Sequence, residues 1–590
     1  MLNLTKKLFN TNISFLITLT VIVFCVYGKS INFELIDLDD NTLITNKINY
    51  ISDISNIPEF FLTSCFYSKE DIYYRPILTL TFSIESIIFG LNSKIYHTTN
   101  LILFILNIYL LYLFLLKLNL NKNIIKLILI LLSIYPVISS CCVWITARND
   151  LLLSIFILLT FINIVNYSNT QKNIYLVLLS AFFTLSVFTK ETAIIFIIIY
   201  PLFTYLFKYN FTKKQLTELL IISVSVLIIY FLLRFISVNQ INIKEYLINF
   251  NIIIENIING FSVYVYSLFT PYYVPIAYLD NNIYFVKIFI TFLFIIFLTV
   301  IWYKNIIERK YLIFGILLFV LGLVPTFLTT ENTIYFHRLL LPLSGLIIIL
   351  IEFIQKIIKK RELLKKFFIL LFIILFTIFS FLTFTHIDKY KNNYVFFTNG
   401  YMDAPKYHIF LNAIAKYYIE YEKYDKALDL LFLADKYKPN FYINDIATVL
   451  CYQGKIDEAE ELLKKSIEAG KNKDVSYANL SLIYRNKKDY KTALYYATKA
   501  YEENPYNIEV NVNLAQMYRL NNEFIKPIEL YNNLIKFDKH NSEYYYSLGI
   551  LYNDLKDKNN AIKFLEKACN IDKNNKFYLK KLEEIKNIED

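Results

Sequence analysis

Apolar runs long enough to cross a lipid bilayer recur along most of this chain, and they restrict its fold more than any other feature. A hydrocarbon core about 30 Å thick needs roughly 20 consecutive apolar residues per helix. Such runs lie at residues 12–28, 98–116, 123–141, 149–167, 173–189, 191–208, 215–234, 283–303, 311–329, 338–355 and 366–386. A bilayer offers no water to the backbone, so each run must bond internally as a helix. The expectation is an all-α polytopic membrane bundle of about eleven spans. Residues 76–91 form a shorter run carrying Glu85, which reads as a helix lying along the interface. Residues 243–278 are ambiguous for the same reason.

A change of composition divides the chain. Hydrophobic residues make up 56% of its 590 residues and mean hydropathy is +0.43, but after residue 387 the sequence turns polar and rich in Lys, Glu, Asp, Asn and Tyr. This predicts a membrane domain over 1–390 and a separate C-terminal domain. The net charge of +11 sits largely in short loops between apolar runs, so it speaks for membrane orientation rather than nucleic-acid binding. Six scattered cysteines form no CxxC pair and no zinc spacing, so neither a disulfide framework nor a metal site is expected. Lys6 and Lys7 before Ile13–Tyr27 imitate a signal peptide; without a small-residue cleavage site, and with more spans following, the segment reads as a retained first helix.

The loops set an orientation. A cytoplasmic N-terminus puts Lys117, Lys122 and Lys126 inside, with Lys208, Lys213, Lys214, Lys304, Arg309 and Lys310. The densest basic cluster, Lys356, Lys359, Lys360, Arg361, Lys365 and Lys366, falls inside too. The opposite loops hold few basic residues, as the positive-inside bias requires. Everything after residue 387 is then outside the cytoplasm, and the lean loops favour a bacterial plasma membrane.

From residue 405 the chain repeats. Leu480, Leu514 and Leu548 are 34 residues apart, as are Tyr484, Tyr518 and Tyr552. Ala493, Pro527 and Ala561 keep the interval, and so do Ala500, Leu534 and Ala568. Ile446 and Ala459 extend the series backward, and Ala427 with Pro439 mark an earlier unit. This order of large and small residues is the tetratricopeptide (TPR) signature. Generic amphipathic helices would not hold such a register. The expectation is an α-solenoid of five units over 405–576, with a polar capping helix at 577–590. Partner proteins would bind in its groove, lined partly by Tyr and Asn.

Strongly polar residues outside the basic loops gather at the opposite face. The first outer loop, 29–97, carries Asp37, Asp39, Asp40 and Asn46, then Tyr74-Arg75-Pro76, then His97, with Asn100 close behind. Later loops supply Trp144, Arg148, Asn149 and Asp150, then Lys190-Glu191, then Glu331, His337 and Arg338. Ionisable groups at helix ends are costly unless paired or wetted, and so mark functional sites. Each also has a plainer reading: Asp39-Asp40 as a solvated turn, the arginines as interfacial anchors, Lys190-Glu191 as a local ion pair, His97 and His337 as structural histidines. Lys190 and Arg148 equally suit ion pairs with Asp150 or Glu191 made for stability. Co-location on one face favours a shared cavity.

The segments FELIDLDDNTLITN and YYRPILTLTFSIESIIFGLNSKIYHTTNLILF resemble the start of the transmembrane-and-TPR O-mannosyltransferase family, within the GT-C glycosyltransferases. That pattern runs Asp-Asp, Tyr-Arg-Pro, then His-x-x-Asn. YPVISSCCVWITARNDLL, LSVFTKETAII and FHRLLLPLSG are similar to its later segments, and the likeness covers most of residues 10–390. Tyr135 stands where the family usually has His, Ser140 and His337 where it has Glu, and Phe104 where it has a later His.

The resemblance implies a polyprenyl-phosphate sugar, most naturally mannose, as donor and a hydroxyl acceptor, with no cofactor required and divalent-metal use left open. Asp39 or Asp40 would be the general base, Asp40 the weaker choice. Arg75, Arg148, Lys190 and Arg338 would bind the donor phosphate, with His97, Asn100, Asp150, Glu191 and His337 in support. One carboxylate with direct displacement implies inversion. Membrane lipid and acceptor proteins held by the TPR groove are the other expected partners. Competing readings are a membrane-anchored TPR scaffold and an oligosaccharide ligase or polymerase; a transporter fits less well, since no inverted repeat is visible.

Overall fold

The computed structural model describes residues 11–65, 73–238, 250–277, 284–327, 334–358 and 362–587, apart from 471, 506, 538–540 and 574. Contacts divide the chain into two compact units, Met1–Ala404 and Pro405–Asp590.

The first unit is helical. In chain order its longer helices are α1 (Asn12–Tyr27), α2 (Pro76–Phe89), α3 (Ser93–Lys117), α4 (Lys122–Ser133), α5 (Arg148–Thr170), α6 (Ile174–Thr189) and α7 (Phe196–Leu206). Then follow α8 (Lys213–Ser237), α9 (Phe250–Phe269), α10 (Tyr284–Tyr303), α11 (Arg309–Phe327), α12 (Leu340–Ile358), α13 (Glu362–His386) and α14 (Asn393–Asp403). Each apolar run read from the sequence coincides with helix, but not all are full-length. Among the described residues eight helices are long and apolar enough to cross a membrane, or nine if one bent pair counts as a span. The bent pair is α4 with Pro136–Val143, turned by 58°, because Pro136 cannot donate to a continuing helix. Runs 173–189 and 191–208 are shorter helices parted at Lys190, whose backbone is extended. The count of apolar residues already parts the runs at Lys190, but it carries the run 123–141 straight through the bend at Pro136. The ambiguous stretch 243–278 contains the helix α9.

Aromatic packing ties the bundle centre together. Phe114 on α3, Phe161 on α5, Phe203 on α7 and Phe314 on α11 meet with ring centroids 4.7–6.4 Å apart. Between α11 and α12 the backbones nearly touch: a Cβ on Gly315 would lie 2.6 Å from the Gly345 carbonyl oxygen. Small residues permit such approach between apolar helices.

The first loop has a core of its own. Leu43, Ile44, Ile51 and Cys65 pack on Leu78, Phe82, Tyr96 and Ile145, all buried. Glu34 N–H donates to the Lys391 carbonyl at 3.1 Å, and Asp37 N–H to Asn393 Oδ1 at 2.6 Å. These contacts hold the short helix Asp39–Leu43 in place.

The second unit is five helical hairpins and a terminal helix. The hairpins are α15 (His408–Glu420) with α16 (Tyr424–Tyr437), α17 (Ile443–Tyr452) with α18 (Ile456–Glu468), α19 (Lys473–Asn486) with α20 (Tyr490–Glu503), α21 (Ile508–Leu520) with α22 (Ile525–Phe537), and α23 (Ser542–Asp554) with α24 (Lys558–Ile571). The terminal helix is α25 (Lys576–Lys586). The repeat is visible in the backbone: Gly454, Lys488, Asn522 and Lys556 each take positive φ at the turn inside a hairpin. Asn507, Asn541 and Asn575 each cap the helix that follows. Ala493, Ala497, Ala500, Ala561 and Ala568 are fully buried, which lets neighbouring helices close up. Pro527 takes the alanine position in α22 without harm, since it lies in the first turn.

Candidate functional site

Pro76 opens α2 and biases Arg75 away from helical geometry (φ −138°, ψ 61°). Arg75 thereby points back to Glu191, with Nη2 to Oε1 at 2.6 Å and Nε to Oε2 at 3.1 Å. Its guanidinium also sits 4.5 Å from the Tyr73 ring. The extended backbone at Lys190 sends adjacent side chains to different partners. Lys190 Nζ lies 2.7 and 2.8 Å from the carboxylate oxygens of Asp150 on α5. Lys190 and Glu191 are therefore not a local pair; each reaches a distant segment. His337 Nε2 lies 3.7 Å from Asp150 Oδ2, and Lys190, Arg338 and Arg75 all act on His337 electrostatically.

Four separate stretches of sequence thus supply one ionic cluster. It holds three cations, Arg75, Lys190 and Arg338, against two carboxylates, Asp150 and Glu191. The excess positive charge resides on Arg338, which is half-buried, stacks 5.4 Å from the Tyr335 ring and has no ion pair among the described residues. Glu331 lies outside the described residues.

Arg148 belongs to a second group. It is fully buried, with Nη1 to Glu85 Oε2 at 2.7 Å, Nε to Asn100 Oδ1 at 2.8 Å and Nη2 to the Tyr96 carbonyl at 3.0 Å. The Phe82 ring covers the guanidinium at 4.6 Å. These bonds fasten the start of α5 to α2 and α3. With each nitrogen engaged and no exposure, Arg148 is geometrically a brace and not an open phosphate contact. Asn100 Nδ2 also donates to the Trp144 and Ile145 carbonyls at 3.1 and 3.2 Å.

Asp40 is 0% exposed. Its Oδ2 accepts the Ile36 N–H at 2.9 Å, and Oδ1 has no hydrogen-bond partner among the described residues. Burial pushes its carboxyl up to about 7, Asp39 adding to the rise while the Ile36 N–H, the Thr146 backbone and Arg148 oppose it. Asp40 makes no ion pair with Arg75, Lys190 or Arg338, whose partners lie elsewhere among the described residues. Asp39, at the start of the same helix, is half-buried. His97 Nε2 lies 3.4 Å from the Glu34 carbonyl, and its ring meets Phe33 edge-on at 6.2 Å. Asp40 acts electrostatically on Arg148, which shares the first turn of α5 with Asp150.

Two residues that depart from the pattern this sequence resembles have structural partners. Tyr135 donates to the Leu268 carbonyl at 2.9 Å. Phe104 packs 5.7 Å from Tyr27, and Ser140 is buried. Among the described residues no group of three or more His, Cys, Asp or Glu side chains could hold a metal ion.

Some site residues escaped sequence reasoning. Glu85 reads there only as an interruption of an apolar run, though a carboxylate in such a run is itself a signal. Trp144, already singled out in the sequence with His337, lies 5.3 Å from it and has two aromatic neighbours that were not, Tyr335 at 5.6 Å and Phe396 at 5.9 Å. Lys389 bonds Asp403 at 2.9 Å, whose Oδ2 accepts the Ile276 N–H at 3.0 Å; this pair belongs to the first unit.

Comparison with known proteins defines the second unit. Tetratricopeptide-repeat family profiles match residues 442–472, 475–507 and 542–575. No curated protein matches the chain. Solved structures that resemble it include YrrB, a TPR protein with an unusual peptide-binding site, at 17% identity and TM-score 0.24, over 32% of this chain and 97% of that one. TTC0263, a thermophilic TPR protein in Thermus thermophilus, gives 18% identity and TM-score 0.27 over 31% of this chain and 100% of that one. MamA 41-end from Desulfovibrio magneticus RS-1 gives 16% and 0.25 over 29% and 97%. The C-terminal unit is a TPR domain, a class suited to protein interaction. It follows a unit whose apolar helices are compatible with membrane association.

Proposed function

We propose that the chain is a membrane glycosyltransferase that moves a sugar, mannose by resemblance, from a polyprenyl-phosphate donor to a protein hydroxyl. The observation that carries the reading is the single ionic cluster built from Arg75, Asp150, Lys190, Glu191, His337 and Arg338, with one positive charge uncompensated among the described residues. A departing phosphate needs fixed cations, and preorganised charge stabilises it as it forms. Arg338 makes the first contact with the phosphate; Arg75 and Lys190, held by their carboxylates, supply the surrounding field. Asp39 accepts the proton of the acceptor hydroxyl as its oxygen bonds to the anomeric carbon. The bond from that carbon to phosphate breaks, polyprenyl phosphate leaves with the electron pair, and the anomeric centre inverts. Asp40 and Arg148 fix the loop from behind. The TPR domain recruits the protein acceptor.

The test incubates the purified full chain with polyprenyl-phosphate [14C]mannose and Ser/Thr-rich peptides. Label should pass to peptide hydroxyls, and Asp39→Asn should abolish the transfer. No transfer by the unaltered chain, under conditions where it remains folded, overturns the reading. A second reading, a membrane-anchored TPR scaffold, is favoured by the pairing of Arg75 and Lys190 with carboxylates, as in a structural network. It requires that capture of partner proteins survive Asp39→Asn and Arg338→Gln.

A further inference from the structure

Helices α3 and α5 each run from the Arg148 group to the far end of the bundle, roughly 35 Å at 1.5 Å per residue. At that far end lies a cavity of about 170 Å³ whose lining includes Lys117, Asn119, Asn169, Phe207, Tyr209 and Lys310. Four segments distant in sequence build it: the end of α3, the end of α5, the loop after α7 and the start of α11. Asn119 takes φ +60°, which turns the chain sharply after α3. The Tyr311 hydroxyl donates to the Leu118 carbonyl at 2.7 Å and locks two of these segments together.

Both lysines are held rather than loose. Lys117 Nζ donates to Asn166 Oδ1 at 2.5 Å. Lys310 Nζ lies 4.9 Å from the Tyr311 ring centroid and 5.7 Å from that of Phe207, with Glu308 at 2.9 Å. No carboxylate is among the residues lining the cavity. Two lysines, two asparagines and Tyr209 line one small space and carry the hydrogen-bond donors that phosphate oxygens require, the Tyr311 hydroxyl being already given to Leu118. Drug-sized pockets span about 300–1,000 Å³, so this cavity suits a single phosphate group and not a complete lipid-linked sugar. Its place among the basic loops matches where anionic headgroups concentrate.

We propose that this cavity binds a phosphate group, borne by an anionic phospholipid headgroup or free in solution, as a site separate from the Asp150 cluster and independent of the transferase reading. The full chain is placed in nanodiscs of phosphatidylglycerol or phosphatidylcholine, and in detergent with inorganic phosphate, and bound ligand is counted by native mass spectrometry. If the source is lipid, phosphatidylglycerol is retained about tenfold or more over phosphatidylcholine. If the source is soluble, inorganic phosphate is retained and the two lipids are equal. In either case K117Q/K310Q abolishes the preference. Asn169→Trp, at an exposed position on the rim, should abolish it as well by blocking the space while leaving both charges. The proposal is overturned if neither phosphate source is retained. Retention unchanged in K117Q/K310Q, or unchanged in Asn169→Trp, overturns it equally, the latter by reducing the effect to general surface charge.

Discussion

Lys190 and Asp150, 40 residues apart in the chain, meet as a buried pair with Nζ 2.7 and 2.8 Å from the two carboxylate oxygens. The pair joins the break between two short apolar helices to the first turn of α5, so the cluster has a fixed frame before any ligand arrives. Asp150→Ala strands a buried ammonium, and breaking such a pair costs about 3–5 kcal/mol. The full chain in detergent should lose its unfolding midpoint accordingly. Removing both charges with K190M/D150L should recover most of the loss. A double variant no better than the single one would show that the charges are not coupled.

Arg148 and Arg338 should separate cleanly. Arg148→Lys keeps the charge but cannot serve Glu85, Asn100 and the Tyr96 carbonyl together. It should lower the thermal midpoint by the equivalent of about 2–4 kcal/mol, with activity falling only as folded protein is lost. Arg338→Gln, with no ion pair to break among the described residues, should shift stability by under about 1 kcal/mol and weaken donor-lipid binding at least about tenfold. The reverse pattern would exchange their roles.

How much of this was legible in the sequence depended on the kind of signal. The repeat domain was readable because a 34-residue register constrains many positions at once; the asparagines 507, 541 and 575 that cap its helices emerged only with the structure. The helical runs were readable from apolarity alone, and so was the break at Lys190, where two runs meet, but the bend at Pro136 was not, since it lies within an otherwise apolar run. For the site, the sequence indicated which charges gather and not which pair. Lys190 and Glu191 look like a local couple until the extended backbone sends them apart, and Arg148 looks like an open cation until Glu85 folds onto it. Partner choice depends on tertiary contacts that spacing does not encode.

Asp40 should make stability depend on pH in an uncommon direction for an aspartate. Its folded pKa of about 7 lies above the ordinary 3.8, so the folded chain holds the proton more tightly than the unfolded one. The stabilisation is complete below about pH 4 and is lost as pH rises through about 7. Across that window the loss is on the order of 4 kcal/mol. Asp40→Asn, permanently neutral, should flatten this dependence and leave the chain as stable or more so at pH 8. Chemical denaturation at pH 5 and pH 8 tests it; a variant with an unchanged slope would show that another group titrates.

The glycines offer a graded test of helix packing in which the obstacle differs at each site. At Gly315 a Cβ would meet the backbone oxygen of Gly345 at 2.6 Å, and at Gly345 it would meet that of Gly315, so no side-chain rotation can relieve either clash. Helices α11 and α12 must move apart, and overpacking of this kind costs about 1–3 kcal/mol. At Gly322 the nearest atom is the Pro342 Cγ at 3.1 Å, which yields by a few tenths of an ångström, and Gly322→Ala should be nearly neutral. Gly28 has open space and right-handed φ, so Gly28→Ala should stabilise by up to about 1 kcal/mol through the unfolded chain. Thermal unfolding of the four single variants should rank them Gly28, Gly322, then Gly315 and Gly345 together. Since Gly345 follows Arg338 on the segment that opens α12, separation of these helices should also weaken donor binding, as Gly322→Ala should not. Equal midpoints for Gly345→Ala and Gly322→Ala would mean that the close approach of the two backbones does not hold this part of the bundle together.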